Sequence, residues 1–231
     1  MNYLSRISAI LLLMTLSANG LHSSQDHIME TIHATILNAI SEFDQIPEER
    51  QEQLKAVAKT LKKRDQGEES SLTFICTHNS RRSHLSQIWA HVASVWYDIP
   101  GITTYSGGTE STACNHRTVR ALRRAGFSVV NPTPESKNPH YLIQFSEQLA
   151  PLTAFSKVYD SEGNPSKDFL AIMTCSHADK NCPIVRGANK RFAIPYTDPK
   201  VSDNTPQEDH TYDARLRQIA REMLFLMSQA K

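Results

Sequence analysis

The sequence predicts an α/β protein in which a parallel four-stranded sheet is wrapped by helices and preceded by an N-terminal helical hairpin. Four runs have the length of strands, and helical patterns or long crossovers separate them, as parallel strands require. An amphipathic pattern over residues 214–227 indicates a C-terminal helix that packs on the sheet. The predicted strands are residues 72–75, 101–105, 169–174 and 191–195.

Length, charge and cysteine content limit the class of protein. A chain of 231 residues has room for one ordinary domain with additions. Its formal net charge is only +1, and the basic excess that drives binding to nucleic acid is therefore lacking. Four cysteines are too few for a disulfide scaffold, so each is reactive, metal-bound or simply buried. We expect no nucleic-acid partner.

The N-terminus has the layout of a secretory signal peptide. Residues 1–20 contain one arginine, Arg6, then an apolar run over residues 7–16 and small residues at 18–20. The run is too short to span a bilayer, so no stable membrane anchor is expected. Cleavage of this segment implies an exported, periplasmic protein, whereas its retention implies a cytoplasmic one. The alternative is a helix that packs on the domain.

Residues 21–66 are predicted to form a helical extension in front of a catalytic domain at residues 67–231. Isoleucine occurs at positions 28, 32, 36 and 40, which is a helical spacing. A second helical pattern contains Leu54, Val57 and Leu61, and it follows a proline at a favourable helix start. The polar residues 65–71 are predicted to be a linker.

The first predicted strand continues into a loop that carries the candidate chemistry. Cys76 ends the strand, and a helical pattern begins just after Arg82, so the order is strand, loop, helix. Backbone N–H groups of such a loop and the dipole of the following helix can hold a tetrahedral oxyanion. The same positive field favours a thiolate at Cys76, which is the nucleophilic form of cysteine.

Side chains of the loop add further contacts for an anion. Arg82 offers a planar fork for two anion oxygens, and Ser83 can donate a hydrogen bond to the Cys76 sulfur. A buried cysteine at a strand end beside a surface arginine is the alternative interpretation. The predicted oxyanion-binding residues are Thr77, His78, Asn79, Ser80, Arg81, Arg82 and Ser83.

The string Cys-x-x-Asn-x-x-Arg-Ser at residues 76–83 resembles the loop of the low-molecular-weight protein tyrosine phosphatase family, and more narrowly its thiol-dependent arsenate reductase branch. The resemblance extends to the C-terminus and leaves out the helical hairpin. It implies that Cys76 is the nucleophile, that Arg82 binds the oxyanion and that Asn79 shapes the loop. It also implies a general acid in a late Asp-Pro pair, which here is Asp198 and its following proline.

Two loop positions depart from the family pattern. Position 78 is His where the family commonly has Gly, and a non-glycine residue adopts a positive φ only infrequently. We therefore expect the loop to differ locally at His78 or to bind its anion less tightly. Position 81 is Arg where a small or apolar residue is common, and Arg81 could strengthen the local positive field.

A second pair of cysteines follows the third predicted strand. Cys175 and Cys182 lie at the same sheet edge as the Cys76 loop if the strands are parallel neighbours. The string Cys-Ser-x-Ala-Asp-x-Asn-Cys-Pro resembles the redox segment of the arsenate reductases. It implies that Cys76 takes arsenate and that Cys175 displaces arsenite by forming a disulfide with Cys76. Cys182 then attacks Cys175 and leaves a Cys175–Cys182 disulfide. Residues 176–181 are expected to be flexible and to rearrange, so that thioredoxin can reduce this disulfide.

Other interpretations of the cysteines remain open at this point. A static Cys175–Cys182 disulfide fits an exported protein. A zinc site built from Cys175, His177 and Cys182 lacks a fourth ligand at a standard spacing, so no metal is expected. Cys114 is predicted to be a small buried hydrophobic residue.

The leading prediction for function is reduction of arsenate to arsenite by a three-cysteine relay. No bound cofactor is expected, and the reducing equivalents would come from thioredoxin or a similar reductant. The first alternative is a tyrosine or small phosphomonoester phosphatase, with a thiophosphate intermediate on Cys76 and Asp198 as general acid. The second is a non-catalytic oxyanion-binding protein, favoured if His78 and Arg81 distort the loop.

Overall fold

The computed structural model describes residues 24–63 and 68–231, so the predicted signal peptide lies outside the described residues. The helices are α1 (Glu30–Ser41), α2 (Glu48–Lys62), α3 (Arg82–Trp96), α4 (His116–Arg124), α5 (Ser176–Asn181) and α6 (Glu208–Ala230). The strands are β1 (Ser70–Cys76), β2 (Ile102–Gly108), β3 (Ser128–Val130), β4 (Tyr141–Gln144), β5 (Leu152–Ala154), β6 (Phe169–Met173) and β7 (Ala188–Ala193). Short 3₁₀ turns are Ser24–His27, Phe43–Gln45 and Pro199–Ser202.

Four strands form a parallel sheet in the order β2-β1-β6-β7, which confirms the predicted fold class. The two central strands, β1 and β6, are largely buried, and Phe74, Ile75 and Ile172 are fully buried in them. Ile75 lies opposite Met173 in the pairing of β1 with β6. The carboxyl ends of these two strands, and the loops that follow them, are therefore neighbours at one edge of the sheet.

A second, antiparallel sheet of β3, β4 and β5 was not predicted from the sequence. Its strands contain only three or four residues each, which is too short for a recognisable alternation of apolar and polar residues. Buried side chains from all three strands, namely Val129, Tyr141, Ile143 and Ala154, join the main hydrophobic core. The small sheet therefore extends the core beside α4.

The helical hairpin of α1 and α2 is present as predicted and packs on α6. Its inward side chains, including Ile32, Ile36 and Leu54, belong to the same buried cluster as Phe74 of β1. The predicted linker is shorter than expected, because Ser70 and Ser71 already pair with β2, and residues 65–67 lie outside the described residues. The division into an extension and a catalytic domain stays a prediction.

Helix α6 begins six residues before the predicted start, and it ends three residues later than predicted. Its first turns are polar and carry no apolar periodicity, so the pattern did not reveal them. Ion pairs with α4 hold these turns: Arg117 with Glu208 at 2.6 Å and Arg124 with Asp213 at 2.7 Å. Within the described residues, no helix is long and apolar enough to cross a membrane.

Candidate active site

The loop between β1 and α3 holds the Cys76 sulfur at the carboxyl edge of the parallel sheet. Cys76 is the last residue of β1, is 3% exposed and pairs with Gly108 of the neighbouring strand β2. Residues 77–81 turn over this sulfur, and α3 begins at Arg82. The predicted order of strand, loop and helix is therefore the arrangement that the structure has.

Two side chains of the loop converge on the Cys76 sulfur. The Ser83 Oγ lies 3.1 Å from the Cys76 Sγ, and the Asn79 Nδ2 donates to the same Ser83 oxygen at 2.9 Å. The amide occupies one lone pair of the Ser83 oxygen and leaves the Ser83 proton available, and a Cys76 thiolate, which can only accept, receives that proton. A hydrogen bond donated to the sulfur stabilises its anionic form.

Asn79, rather than His78, adopts the left-handed backbone conformation in this loop. Its φ is 44°, a value that asparagine tolerates better than most residues, whereas His78 is not among the residues with a positive φ. The strain considered for position 78 is therefore absent, and weaker anion binding stays a prediction. The buried Asn79 side chain also accepts a hydrogen bond from the Lys157 backbone N–H at 2.9 Å. The His78 carbonyl accepts from the Ser156 hydroxyl at 2.8 Å. Residues 156 and 157 therefore support the loop from outside it.

The end of β2 packs so closely against the loop that only glycine fits there. A Cβ on Gly108 would lie 2.6 Å from the Thr77 carbonyl oxygen and 2.2 Å from the Glu110 carbonyl oxygen. Glycine at this position lets two backbones approach each other. Gly108 therefore supports the loop by allowing this close packing.

Arg82 faces the predicted general acid. Its Nη2 donates to the Asp198 Oδ2 at 2.6 Å, and its Nη1 donates to the Tyr196 carbonyl oxygen at 3.1 Å. Asp198 also accepts from the Lys200 backbone N–H at 3.1 Å and so begins the 3₁₀ turn that follows β7. The structure thus brings a carboxylate and the candidate anion-binding guanidinium together at one side of the Cys76 loop.

The Arg81 side chain turns toward α6 instead of the centre of the loop. Its Nε donates to the Tyr212 hydroxyl at 2.7 Å, and its Nη2 lies 3.4 Å from an Asp203 carboxylate oxygen. The Tyr212 hydroxyl in turn donates to Asp203 at 2.8 Å. Burial raises the pKa of Tyr212 to about 12. Arg81 still lies 3.9 Å from Asp198, so two guanidinium groups face that carboxylate.

Cys175 lies beside the Cys76 loop, at the end of the neighbouring strand β6. Its buried sulfur is 3.4 Å from the Thr77 hydroxyl oxygen and accepts from the Ala178 backbone N–H at 3.3 Å. Residues 176–181 form the short helix α5, which was not predicted, and the rearrangement of this stretch stays a prediction. This helix has only six residues, mostly polar, and offers no apolar periodicity for detection.

Cys182 follows α5 and is partly exposed, unlike Cys175. Its carbonyl accepts from the Arg191 Nε at 3.2 Å, and Arg191 also pairs with the Asp179 carboxylate, so β7 holds the second half of α5 and the residue that follows it. All four cysteines are free thiols in the structure. Among residues 24–63 and 68–231 no group of three or more His, Cys, Asp or Glu side chains could hold a metal ion.

Cys114 lies in the main core, as predicted from the sequence. It is buried, and burial raises the pKa of its thiol to about 12. A thiol of this kind is inert as a nucleophile near neutral pH.

The structure therefore brings the predicted site residues together in two groups around one loop. Cys76, Asn79 and Ser83 form the first, and Arg82 with Asp198 the second. The Ser80 hydroxyl instead donates to the Ala113 carbonyl oxygen at 2.7 Å, and the His78 ring faces Glu110 at 3.6 Å. Sequence reasoning missed the supporting residues Ser156, Lys157, Tyr196, Asp203 and Tyr212, because nothing in their spacing relates them to the loop.

Comparisons with known proteins find relatives of this chain by sequence. No family model matches the chain. An arsenate reductase of Bacillus licheniformis is 26% identical over 149 residues, which covers 64% of this chain and 86% of the relative. An arsenate reductase of Bacillus subtilis is 25% identical over 152 residues, which covers 65% and 88%. The predicted relationship to arsenate reductases is confirmed, as is the prediction of an enzyme.

Solved structures with a similar chain path include members of both predicted branches. A low-molecular-weight phosphotyrosine phosphatase of Vibrio cholerae gives a TM-score of 0.47 at 13% identity, covering 69% of this chain and 95% of that chain. An arsenate reductase of Archaeoglobus fulgidus gives 0.44 at 14% identity, covering 68% and 98%.

Proposed function

We propose that this protein reduces arsenate to arsenite with Cys76, Cys175 and Cys182 as a thiol relay. The observation that carries the proposal is the place of Cys175, whose sulfur is 3.4 Å from the hydroxyl of Thr77, the residue next to Cys76. A hydrolytic phosphatase needs one thiol at this edge of the sheet. A second buried thiol in contact with the same loop is what a redox reaction on Cys76 requires.

The first step is attack of the Cys76 thiolate on arsenate. Arg82 and the backbone N–H groups of the loop hold the oxyanion, and water leaves as the sulfur–arsenic bond forms. Ser83, oriented by Asn79, stabilises the thiolate before the attack.

The second and third steps use the cysteines around α5. The Cys175 sulfur attacks the Cys76 sulfur, the sulfur–arsenic bond breaks, and its electron pair leaves with arsenic as arsenite. The partly exposed Cys182 then attacks Cys175, which frees Cys76 and leaves a Cys175–Cys182 disulfide. A dithiol reductant of the thioredoxin type reduces this disulfide. Because Arg191 holds the second half of α5 through the Asp179 and Cys182 carbonyl oxygens, we expect this step to need the turn to open.

Single cysteine substitutions test the relay. Arsenate-dependent NADPH consumption through thioredoxin and its reductase is measured for the wild type, Cys175→Ser and Cys182→Ser, with Cys114→Ala as the control for loss of an unrelated thiol. We expect the first two variants to lose turnover and the control to keep it. Arsenate turnover that survives both Cys175→Ser and Cys182→Ser would falsify the relay.

A second candidate function is hydrolysis of a phosphomonoester, and the contact between Arg82 and Asp198 favours it. A carboxyl group 2.6 Å from the anion-binding guanidinium is placed to protonate a leaving oxygen. Hydrolysis of para-nitrophenyl phosphate by the same variants separates the two functions. Hydrolysis that is lost in Asp198→Asn and unchanged in Cys175→Ser, without any arsenate turnover in the wild type, would establish the phosphatase.

A further inference from the structure

A hydrogen-bonded row of three side chains connects Cys175 to the protein surface. The Thr77 hydroxyl oxygen lies 3.4 Å from the Cys175 sulfur and 3.2 Å from the His177 Nδ1. Cys175 is buried, whereas His177, two residues later on the first turn of α5, is exposed to solvent. The threonine therefore stands between a buried thiol and a base that exchanges protons with water.

We propose that His177 accepts the proton of Cys175 through Thr77 when Cys175 attacks the Cys76 sulfur; this inference rests on the proposed arsenate reduction. The thiol of Cys175 donates to the Thr77 oxygen, and the Thr77 hydroxyl donates to the unprotonated His177 Nδ1. A concerted shift of both protons leaves a thiolate at Cys175, an intact threonine hydroxyl and an imidazolium at His177. The imidazolium then releases its proton to water.

The chemistry of the second step explains why such a route is needed. Only the thiolate of Cys175 attacks a sulfur effectively, and its burial slows loss of the thiol proton to buffer and to the dilute hydroxide present near neutral pH. As the new sulfur–sulfur bond forms, the sulfur–arsenic bond breaks and As(V) takes up its electron pair to become As(III). The released arsenite collects its protons from water. The Ala178 backbone N–H, 3.3 Å from the Cys175 sulfur, stabilises the thiolate that the relay produces.

The ionisable neighbours of His177 on α5 are Asp179, which pairs with Arg191 of β7, and the exposed Lys180. The strand ends and the turn after α5 carry the thiols of Cys76, Cys175 and Cys182. In the structure the His177 ring hydrogen-bonds to the uncharged Thr77.

A single-turnover experiment with the full chain tests the relay. The reduced protein is mixed with arsenate in the absence of any other reductant, and arsenite and the remaining free thiols are followed with time over a range of pH. His177→Gln keeps an acceptor for the Thr77 hydroxyl but cannot take up a proton. His210→Gln, which replaces an exposed histidine on α6, is the matched control.

We expect His177→Gln to form arsenite about a hundredfold more slowly than the wild type near neutral pH, within the range for general base catalysis. The difference in rate between the wild type and His177→Gln shrinks in alkaline solution, where hydroxide takes the proton. Thr77→Ser, which retains the hydroxyl, keeps the wild-type rate, whereas Thr77→Val does not. An equal rate in His177→Gln, or a slowing that is the same at every pH, overturns the relay while arsenate reduction stands. A wild type that forms no arsenite and loses no thiols overturns both.

Discussion

The Ser83 hydroxyl has two partners, and together they fix its direction. Asn79 donates to the oxygen at 2.9 Å, which leaves the Ser83 proton for the Cys76 sulfur 3.1 Å away. We expect Ser83→Ala to lower kcat/KM about 10- to 100-fold, since a hydrogen bond to a charged group contributes about 1.5–3 kcal/mol. Steady-state kinetics with arsenate near neutral pH measures the loss.

A matched variant on the same helix separates this effect from a general loss of packing. Ser86 lies three residues further along α3, is fully buried, and its hydroxyl has no hydrogen-bond partner among the described residues. Ser86→Ala should therefore keep kcat/KM. Equal kinetics in both variants would show that Ser83 does not act on the sulfur.

His84, next to Ser83, makes the stability of the fold depend on pH. Burial, with a smaller contribution from the Lys157 cation, lowers the pKa of His84 from 6.5 to about 3. Between these two values the unfolded chain binds a proton at His84 that the folded chain does not, so the free energy of unfolding falls as pH falls. Each pH unit in this window costs up to about 1 kcal/mol.

Replacement of this histidine should therefore flatten the pH dependence of stability. We expect the free energy of unfolding of His84→Asn, from urea titrations at several pH values between about 4 and 6.5, to fall less steeply toward low pH than that of the wild type. His210→Gln serves as the control and should keep the steeper slope. An unchanged slope in His84→Asn would mean that this ring is not neutral in the folded chain.

At the scale of elements, α2 is tied to the loop that carries Asp198. The Arg50 Nη2 donates to the Pro195 carbonyl oxygen at 2.7 Å, and its Nε lies 3.6 Å from the buried Glu222 of α6. Its guanidinium also stacks 5.4 Å above the ring of Tyr196, the residue whose carbonyl binds Arg82. Burial, followed by the Glu222 carboxylate, raises the pKa of Tyr196 well above its usual value.

Removal of this arginine should affect both stability and turnover. We expect Arg50→Met to lower the free energy of unfolding by about 3 kcal/mol, because Glu222 is left as a buried charge without its partner. Adding Glu222→Gln should restore much of the stability but not the turnover, since the Pro195 carbonyl still lacks its donor. Urea unfolding and kcat measure the two effects.

An exposed pair on the same helix supplies the comparison. Lys55 and Glu52 contact each other at 2.8 Å on the solvent side of α2. Lys55→Met should change the free energy of unfolding by about 0.5 kcal/mol or less, as the loss of an exposed pair usually does.

A double variant of Arg50 and Glu222 that regains full turnover would contradict a positioning role for Arg50.

The elements that the sequence predicted are those with a strong local signal. The runs ending at Cys76 and Met173 are continuous and apolar because both faces of those strands are buried. The strands β3 to β5 and the short helix α5 have no comparable pattern, because they are short and their backbone is held by contacts with distant residues. The polar start of α6 is held in the same way, by arginines of α4.

At the scale of the whole molecule, the candidate site likewise combines residues that a local sequence signal revealed with residues that had no such signal. Cys76, Asn79 and Ser83 lie within eight residues of one another, and their string alone indicated an anion loop. The partners of Arg82 and Arg81, which are Asp198 and Tyr212, come from more than a hundred residues away. Asp198 was found only because a family pattern supplied its role, and Tyr212 had no such pattern.

One hydrophobic core connects the helical hairpin with the sheet that carries the site. The hairpin side chains pack against α6, whose other neighbours include α3 directly behind the Cys76 loop. Seven Ile, Leu and Val side chains of residues 24–63 are at most 3% exposed, namely Ile28, Ile32, Ile36, Ile46, Leu54, Val57 and Leu61. Burial of each such side chain contributes about 1.5–3 kcal/mol, so together they contribute a free energy comparable to the entire stability of a typical domain.

A chain shortened to residues 68–231 should therefore fail to fold stably, even though it contains every residue of the candidate site. Without the hairpin, the apolar faces of α6 are exposed, and the Arg50 contacts behind Asp198 are lost. We expect aggregation or the loss of a cooperative thermal transition, whereas a chain of residues 24–231 keeps both the transition and turnover. Circular dichroism with temperature and arsenate turnover measure the two properties. A shortened chain that unfolds cooperatively and turns over arsenate would instead show that the predicted catalytic domain is autonomous.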